Sequence, residues 1–174
     1  IEGPFGSFFL RNEAKDQARS LLAACYDKEA QCFTWTAADG SPRHLWLLNR
    51  LDSATSGVIL TAASGKLAQA VRQHYAKKQV HKTYQALVFG RPHKKLEHWR
   101  DQLAVKKSHG RIRTATVGNV PAETLFQLIK HTQKSFSISL VQLEPRTGRS
   151  HQLRVQCAKR QLPIIGDQTY GDFG

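Results

Sequence analysis

No apolar run in the 174-residue sequence approaches the ~20 residues that a membrane-crossing helix needs, which excludes a helical membrane span. The opening segment, IEGPFGSFF, lacks a basic start followed by a long apolar stretch, so no signal peptide is expected. Cysteine is scarce. Cys25, Cys32 and Cys157 form an odd set whose spacings suit neither a disulfide framework nor a CxxC zinc site, and they are expected to be small apolar side chains in a reducing compartment. The eight histidines are scattered, with no HExxH or HxxxH pair, so no metal is expected. Repeats, low-complexity stretches and linkers are missing as well, and the expectation is a single domain over residues 1–174. A chain of this length buries roughly 70% of its unfolded surface, enough to need no staple.

Acidic residues are the other shortage. There are 13 Asp+Glu against 26 Lys+Arg, a formal net charge of +13 and a pI near 10.1. Residues 1–87 carry 11 basic and 7 acidic side chains, and residues 88–174 carry 15 and 6. An excess of that size points to a polyanionic partner, most often nucleic acid, against the plain alternative of a basic soluble protein. An anionic membrane surface fits less well, because no segment joins a basic face to a strongly apolar one.

The local patterns predict an α+β chain with a mixed, mostly antiparallel sheet and flanking helices. A helical period runs over residues 14–25 through Ala18, Leu21, Leu22 and Cys25. After the turn at residues 39–42, short strands are expected at 44–48 and 58–62, separated by the loop RLDSATSG. Ser64 is placed to cap a helix ending near Gln79, with Leu67, Ala70, Val71, His74 and Tyr75 on one face. Residues 83–89 alternate as a strand closed by Gly90-Arg91-Pro92. The basic, weakly patterned stretch 91–113 reads as an exposed loop or irregular hairpin, followed by strands at 113–120, 124–131 and 135–143. In the last of these, Phe136, Ile138 and Leu140 give way to Val141 and Leu143, which suggests a bulge. Ser150 is expected to cap a short helix to about Arg160, with a loop at 166–174.

Three segments carry candidate chemistry. In NRLDSATSG (49–57), Asp52 lies beside Arg50 in a hydroxyl-rich loop that Thr55 and Ser56 can shape. A carboxylate there can act as nucleophile or general base, or it can be an ordinary turn aspartate. Lys82-Thr83-Tyr84 opens a strand; Tyr84 can stack on a base and Lys82 can meet a phosphate, or the tyrosine can belong to the core. In TGRSHQLRV (147–155), Arg149 stands at a helix mouth and Arg154 inside it, where a buried arginine pairs naturally with a carboxylate, Asp52 being the obvious candidate. The alternative is that both arginines are solvated or hold phosphate without specificity.

Taken together, the segments resemble the RluA-like family of pseudouridine synthases. NRLDSATSG is similar to the first signature, HRLDxxTSG; HKTYQALVFG to the second, KxYxAxVxG; and TGRSHQLRVQCAKRQLPIIGDQTYG to the third, TGRxHQxRVHxAxxGxPIxGDxxYG, over residues 147–171. Asn49, Gln156 and Gln161 stand where the pattern usually has His, His and Gly. The resemblance implies a pseudouridine synthase catalytic-domain fold that isomerises uridine in structured rRNA or tRNA without cofactor or metal. The reaction breaks the glycosidic bond, turns the uracil and rejoins it through carbon 5. By the same resemblance Asp52 is the catalytic aspartate, Tyr84 stacks on the uracil and assists proton removal from carbon 5, and Arg154 pairs with the aspartate. Arg50 would help displace the target nucleotide, while Leu153 and Val155 line the pocket. Lys77, Lys78, Lys94, Lys95, Lys106, Lys107, Arg111 and Arg113 would then meet phosphates at the periphery.

The family usually opens with a strand bearing Lys-Pro, where this chain has FFLRNEAKD, and it continues past GDxxYG with further strands. The chain is therefore expected to lack those C-terminal strands and an N-terminal S4 module, and to be a cytoplasmic monomer. A catalytically silent RNA-binding paralogue is the alternative function. A ribosome-associated basic structural protein accounts for the charge but not for the signatures.

Overall fold

The computed structural model describes residues 2–3, 22, 24–52, 55–108 and 111–171, with backbone alone for 2–3 and 105–117. The chain divides into two compact units, Ile1–Val80 and His81–Gly174. Every ladder among the described residues is antiparallel.

In the first unit, the turn at residues 37–41 joins β3 (Cys32–Thr36) to β4 (Pro42–Leu47), and Asp39 Oδ1 holds it by accepting the Ser41 N–H at 2.9 Å. β2 (Cys25–Asp27) pairs with β3, and β6 (Thr61–Ala62) with β4, giving the order β2-β3-β4-β6. β1 (Glu2–Gly3) pairs with β5 (Gly57–Val58). Ala24, Phe33, Leu47 and Ile59 form the core, with the Tyr26 and Phe33 rings 4.8 Å apart. The single strand expected over 58–62 is interrupted because Ile59 is buried in this core while a side chain, not a strand, takes the N–H of Leu60. The helix expected at 14–25 lies outside the described residues except at its end, and Cys25 opens β2.

α1 (Gly65–Ala76) begins where expected, with Ser64 Oγ accepting the Leu67 N–H at 3.2 Å. It ends sooner, where Lys78 enters the left-handed region at φ 56°. Its packed face also differs: Ala68 is fully buried with Val71, Arg72 and Tyr75 half-buried, whereas Leu67 is 52% exposed. Arg72 belongs to the packed face because its guanidinium reaches Ala30 O and Gln31 Oε1. A periodicity count that treats arginine as solvent-facing misses that phase.

In the second unit, β7 (Tyr84–Phe89), β8 (Leu96–Ser108), β9 (Arg111–Gln133) and β10 (Ser137–Pro145) form a sheet ordered β7-β10-β9-β8. α2 (Gln152–Lys159) packs on β9 and β10. Val88, Trp99, Phe126, Val141, Leu143, Cys157 and Leu162 form the core between them, with Trp99 and Phe126 stacked at 4.6 Å. Gly90 closes β7 at φ +89°, and a Cβ there would lie 3.1 Å from Gln161 O, so only glycine suits the position.

Of the two expectations for 91–113, an exposed loop or an irregular hairpin, the structure has the hairpin: β8 runs back antiparallel along β9 from the Ser108–Arg111 pair, as a longer and more regular strand than the weak pattern suggested. Trp99, Asp101 and Leu103 alternate inward along β8, and the charged middle member hides the alternation. The strands expected at 113–120 and 124–131 are one continuous β9 running through Pro121. β10 ends at the Pro145–Thr124 pair, so Pro121 has a ladder partner on one side only, where a missing N–H is tolerated. A register shift at Leu103/Ala104 lies opposite Gly118, whose hypothetical Cβ would collide with that backbone. The second register shift is at Leu140/Val141, where a bulge was expected. Its extra residue, Ile129, is on β9, so β10 keeps one inward phase through Ser139, Val141 and Leu143.

Candidate active site

The loop bearing Asp52 is closed at its neck by Asn49. The Asn49 amide donates from Nδ2 to Val58 O at 3.1 Å, and its Oδ1 accepts the Leu60 N–H at 2.6 Å. One amide thus satisfies a donor and an acceptor of the returning strand, which a histidine ring at that place could do only in one tautomer. Within the loop the Thr55 N–H donates to Asp52 O at 2.8 Å, a tight turn that leaves Asp52 and Thr55 half-buried and Arg50 exposed. Residues 53–54 lie outside the description.

Tyr84 is half-buried at the start of β7, opposite Leu143 in the ladder, and packs against the main core. Lys82 precedes it, with its Nζ beside Gly148 in the turn that follows β10. That end of the sheet is rimmed by cations. Arg146 donates to His81 Nδ1 at 3.1 Å, and Arg149 donates from Nε to Pro121 O at 3.1 Å. Lys77, Lys78, Lys94 and Lys95 are exposed; the side chains of Lys106, Lys107, Arg111 and Arg113 lie outside the description.

α2 carries the third segment. Its first cap position is held by His151 at φ 53°, with no side-chain cap, in place of the expected Ser150 cap. The side chain of Gln152 does the work instead: its Oε1 accepts from Arg149 N and from Thr147 Oγ1, and its Nε2 donates to Glu123 O and Thr124 Oγ1. One turn on, Gln156 Oε1 accepts from Thr124 Oγ1 at 2.6 Å while its Nε2 donates to Asp101 Oδ2 at 2.8 Å. Asp101, its side chain 2% exposed, also receives Lys159 at 2.6 Å and Arg160 at 2.9 Å. Burial alone would push the Asp101 carboxyl up, but the bonds from Lys159, Gln156 and Arg160 outweigh it and hold it below its ordinary value. Arg160 also lies 4.5 Å from the Trp99 ring.

Two faces of α2 remain. Leu153 packs on the main core, and Val155 is buried with Leu103 and Ala122 beside Tyr170. Arg154, its side chain 19% exposed, makes a two-pronged ion pair with Asp167, Nε to Oδ2 and Nη2 to Oδ1, both at 2.7 Å. Of the site residues expected from sequence, the structure gathers Tyr84, Lys82, Arg149, Leu153, Arg154 and Val155 in the second unit, and places Arg50, Asp52 and Thr55 in the first. Gln152 and Asp167 were not singled out, and Gln156 only as standing where the pattern usually has His. Asp167 sits in GDQTYG, which matches the third signature without an obvious chemical role. Among the described residues no group of three or more His, Cys, Asp or Glu is placed to hold a metal ion, and no helix is long and apolar enough to cross a membrane.

A family model described as RNA pseudouridylate synthase matches residues 27–159. Among curated proteins, a "tRNA pseudouridine synthase C" of Vibrio vulnificus is 32% identical over 153 residues, covering 83% of this chain and 62% of that protein. A "Ribosomal large subunit pseudouridine synthase C" of Vibrio cholerae is 33% identical over 136 residues, covering 75% and 40%. Among solved structures, human RNA Pseudouridylate Synthase Domain Containing 1 superposes with a TM-score of 0.68 at 28% identity, over 74% of this chain and 56% of that one. The fold is also that of human RNA Pseudouridylate Synthase Domain Containing 4, with a TM-score of 0.70 at 24% identity, over 100% of this chain and 66% of that one. The chain spans about three fifths of the length of the first of these curated relatives.

Proposed function

The chain belongs to the RNA pseudouridylate synthase family, and from that premise we propose that it isomerises uridine to pseudouridine in structured rRNA or tRNA. The observation that carries the reading is that the family match, residues 27–159, takes in Asp52, Tyr84 and Arg154 together. In this reading Asp52 is the catalytic aspartate. The C1′–N1 bond breaks, the uracil turns, a C1′–C5 bond forms, and the proton on carbon 5 leaves for solvent while N1 gains one. Tyr84 stacks on the uracil and assists loss of that proton; Arg154 is the arginine that serves the aspartate. The base must first leave its stack, at a cost of a few kcal/mol. Stacking on an aromatic ring returns about 1–3 kcal/mol of this. Arg50, Thr55, Lys82 and Arg149 hold the displaced strand, and Leu153 and Val155 exclude water from the base. No cofactor enters, the partner is RNA, and the compartment is cytoplasmic.

The test is tritium release from uracil-5-labelled RNA prepared from cells lacking the gene, with wild type and Asp52→Asn side by side. Release by the wild type alone, with RNA binding retained in the variant, is the expected result. Turnover by Asp52→Asn within about tenfold of wild type removes Asp52 from its role. Release by neither, with RNA still bound, leaves the catalytically silent RNA-binding alternative and an incomplete catalytic sheet, which the same assay on a longer chain separates.

A further inference from the structure

The turn after Leu162 is built around one buried side chain. Asp167 is 4% exposed and carries more bonds than an ion pair needs: besides Arg154, its Oδ1 accepts the N–H groups of Thr169 at 2.9 Å and Tyr170 at 3.2 Å. The carboxylate is thus fixed to the backbone before it meets the guanidinium. Tyr170 is fixed by the same turn, and its ring centroid lies 5.0 Å from the Arg154 guanidinium carbon. The Tyr170 hydroxyl is hydrogen-bonded to His151 Nδ1 at 2.9 Å, which ties the ring to the residue that starts the helix carrying Arg154. Carboxylate and ring therefore hold the guanidinium together.

A buried ion pair adds little net stability over an apolar replacement, so an arrangement this specific serves geometry better than it serves folding. Resting on the reading of Arg154 as an active-site arginine, we propose that Asp167 and Tyr170 are its positioning residues. The pair with Asp167 occupies two of the five guanidinium N–H groups and fixes the plane of the fork, and the Tyr170 ring supports the guanidinium at 5.0 Å. The arginine is thereby aimed before RNA arrives, which removes an ordering cost from the reacting complex.

Asp167→Asn is the informative substitution, because Asn Oδ1 can still accept the two turn N–H groups while its NH2 faces the guanidinium. The expected result is a fall of about 10–100-fold in kcat for tritium release, with KM for the same RNA within about threefold. Combined with Arg154→Lys, it should cause no further loss, since both act through one group. A second readout needs no turnover: nitrogen-resolved NMR of the Arg154 Nε–H, assigned by its disappearance in Arg154→Lys. That proton should exchange slowly in the wild type and at least about tenfold faster in Asp167→Asn. Wild-type kcat in Asp167→Asn, additive losses in the double variant, or a wild-type Nε–H exchanging as fast as an exposed arginine's each overturn the proposal. A wild type without turnover but with a slowly exchanging Nε–H refutes the proposed function and upholds the clamp. The wild-type exchange rate decides the matter should Asp167→Asn fail to fold.

Discussion

The amide of Gln156 and the carboxylate of Asp101, 55 positions apart, meet at 2.8 Å with both residues buried. This bond joins the inner face of α2 to β8, and Thr124 on β9 completes the joint from the other side of the same amide. Gln156→Ala would strip a partner from Thr124 Oγ1 and from Asp101 at once. At about 1–3 kcal/mol per buried group left short, the expected loss is roughly 2–6 kcal/mol. Urea unfolding should show a lower midpoint at unchanged slope; a loss under about 1 kcal/mol would mean the network contributes little.

Acid should act on the same joint. The carboxyl groups of Asp101 and Asp167 are both held below the ordinary value of 3.8: burial opposes this, and hydrogen bonds from Lys159 and Arg154, respectively, lead the groups that overcome it. A depressed folded value means the stabilisation is complete above the unfolded value and is lost as pH falls past it toward the folded one. Stability measured by urea titration should therefore be flat across the neutral range and fall below about pH 4. Asp101→Asn should flatten that acid limb while lowering stability at pH 7; an unchanged limb would exclude Asp101 as its source.

Tyr84 offers a separation of packing from chemistry. The ring rests on the main core, so Tyr84→Ala should destabilise by about 3–5 kcal/mol as well as abolish turnover. Tyr84→Phe keeps the ring and removes the hydroxyl. On the proposed role it should bind RNA normally and lose tritium release by about 100-fold or more. Full release by Tyr84→Phe would reduce the residue to a stacking platform.

The cationic rim predicts a steep salt dependence of RNA affinity. Lys82→Ala and Arg149→Ala should each weaken binding and lower the slope of log K against log salt by about 0.7–0.9. Filter binding between 50 and 200 mM salt, a range over which roughly 10³–10⁵ of affinity is lost for six to ten phosphate contacts, would read this. A slope unchanged in both variants would place the phosphates elsewhere.

Much of the fold was legible in the sequence because hydrophobic period and turn chemistry agreed: the Ser64 cap and β7 closing on Gly90. The irregularity at Leu140 was placed correctly but on the wrong strand, since the extra residue is Ile129 of β9. What escaped shares one cause. Asp101 on β8, Arg72 on α1 and the two glutamines of α2 are polar side chains at buried phases, and a pattern of apolar positions misreads each as solvent. Each has partners 28 to 59 positions away, beyond the reach of local spacing. The candidate site divides in the same way. Its three signature segments are contiguous and stood out, whereas the carboxylate that Arg154 meets in its own unit, Asp167, comes from a turn 13 positions further on. The spacing of Arg149 and Arg154 indicated a helix mouth, but it could not reveal that a glutamine rather than Ser150 secures it.

The distribution of thiols has a practical consequence. With no methionine in the sequence, sulfur chemistry is confined to three cysteines, of which Cys25 is exposed while Cys32 and Cys157 are buried. Burial pushes the Cys157 thiol up to about 12 and raises that of Cys32, so neither supplies thiolate at neutral pH while the fold is closed. A thiol reagent added to the native chain should be taken up once at Cys25, and further uptake waits for local opening. Because Cys32 lies in the first unit and Cys157 in the second, the protein carries one internal clock for the breathing of each, readable by mass without any engineered label.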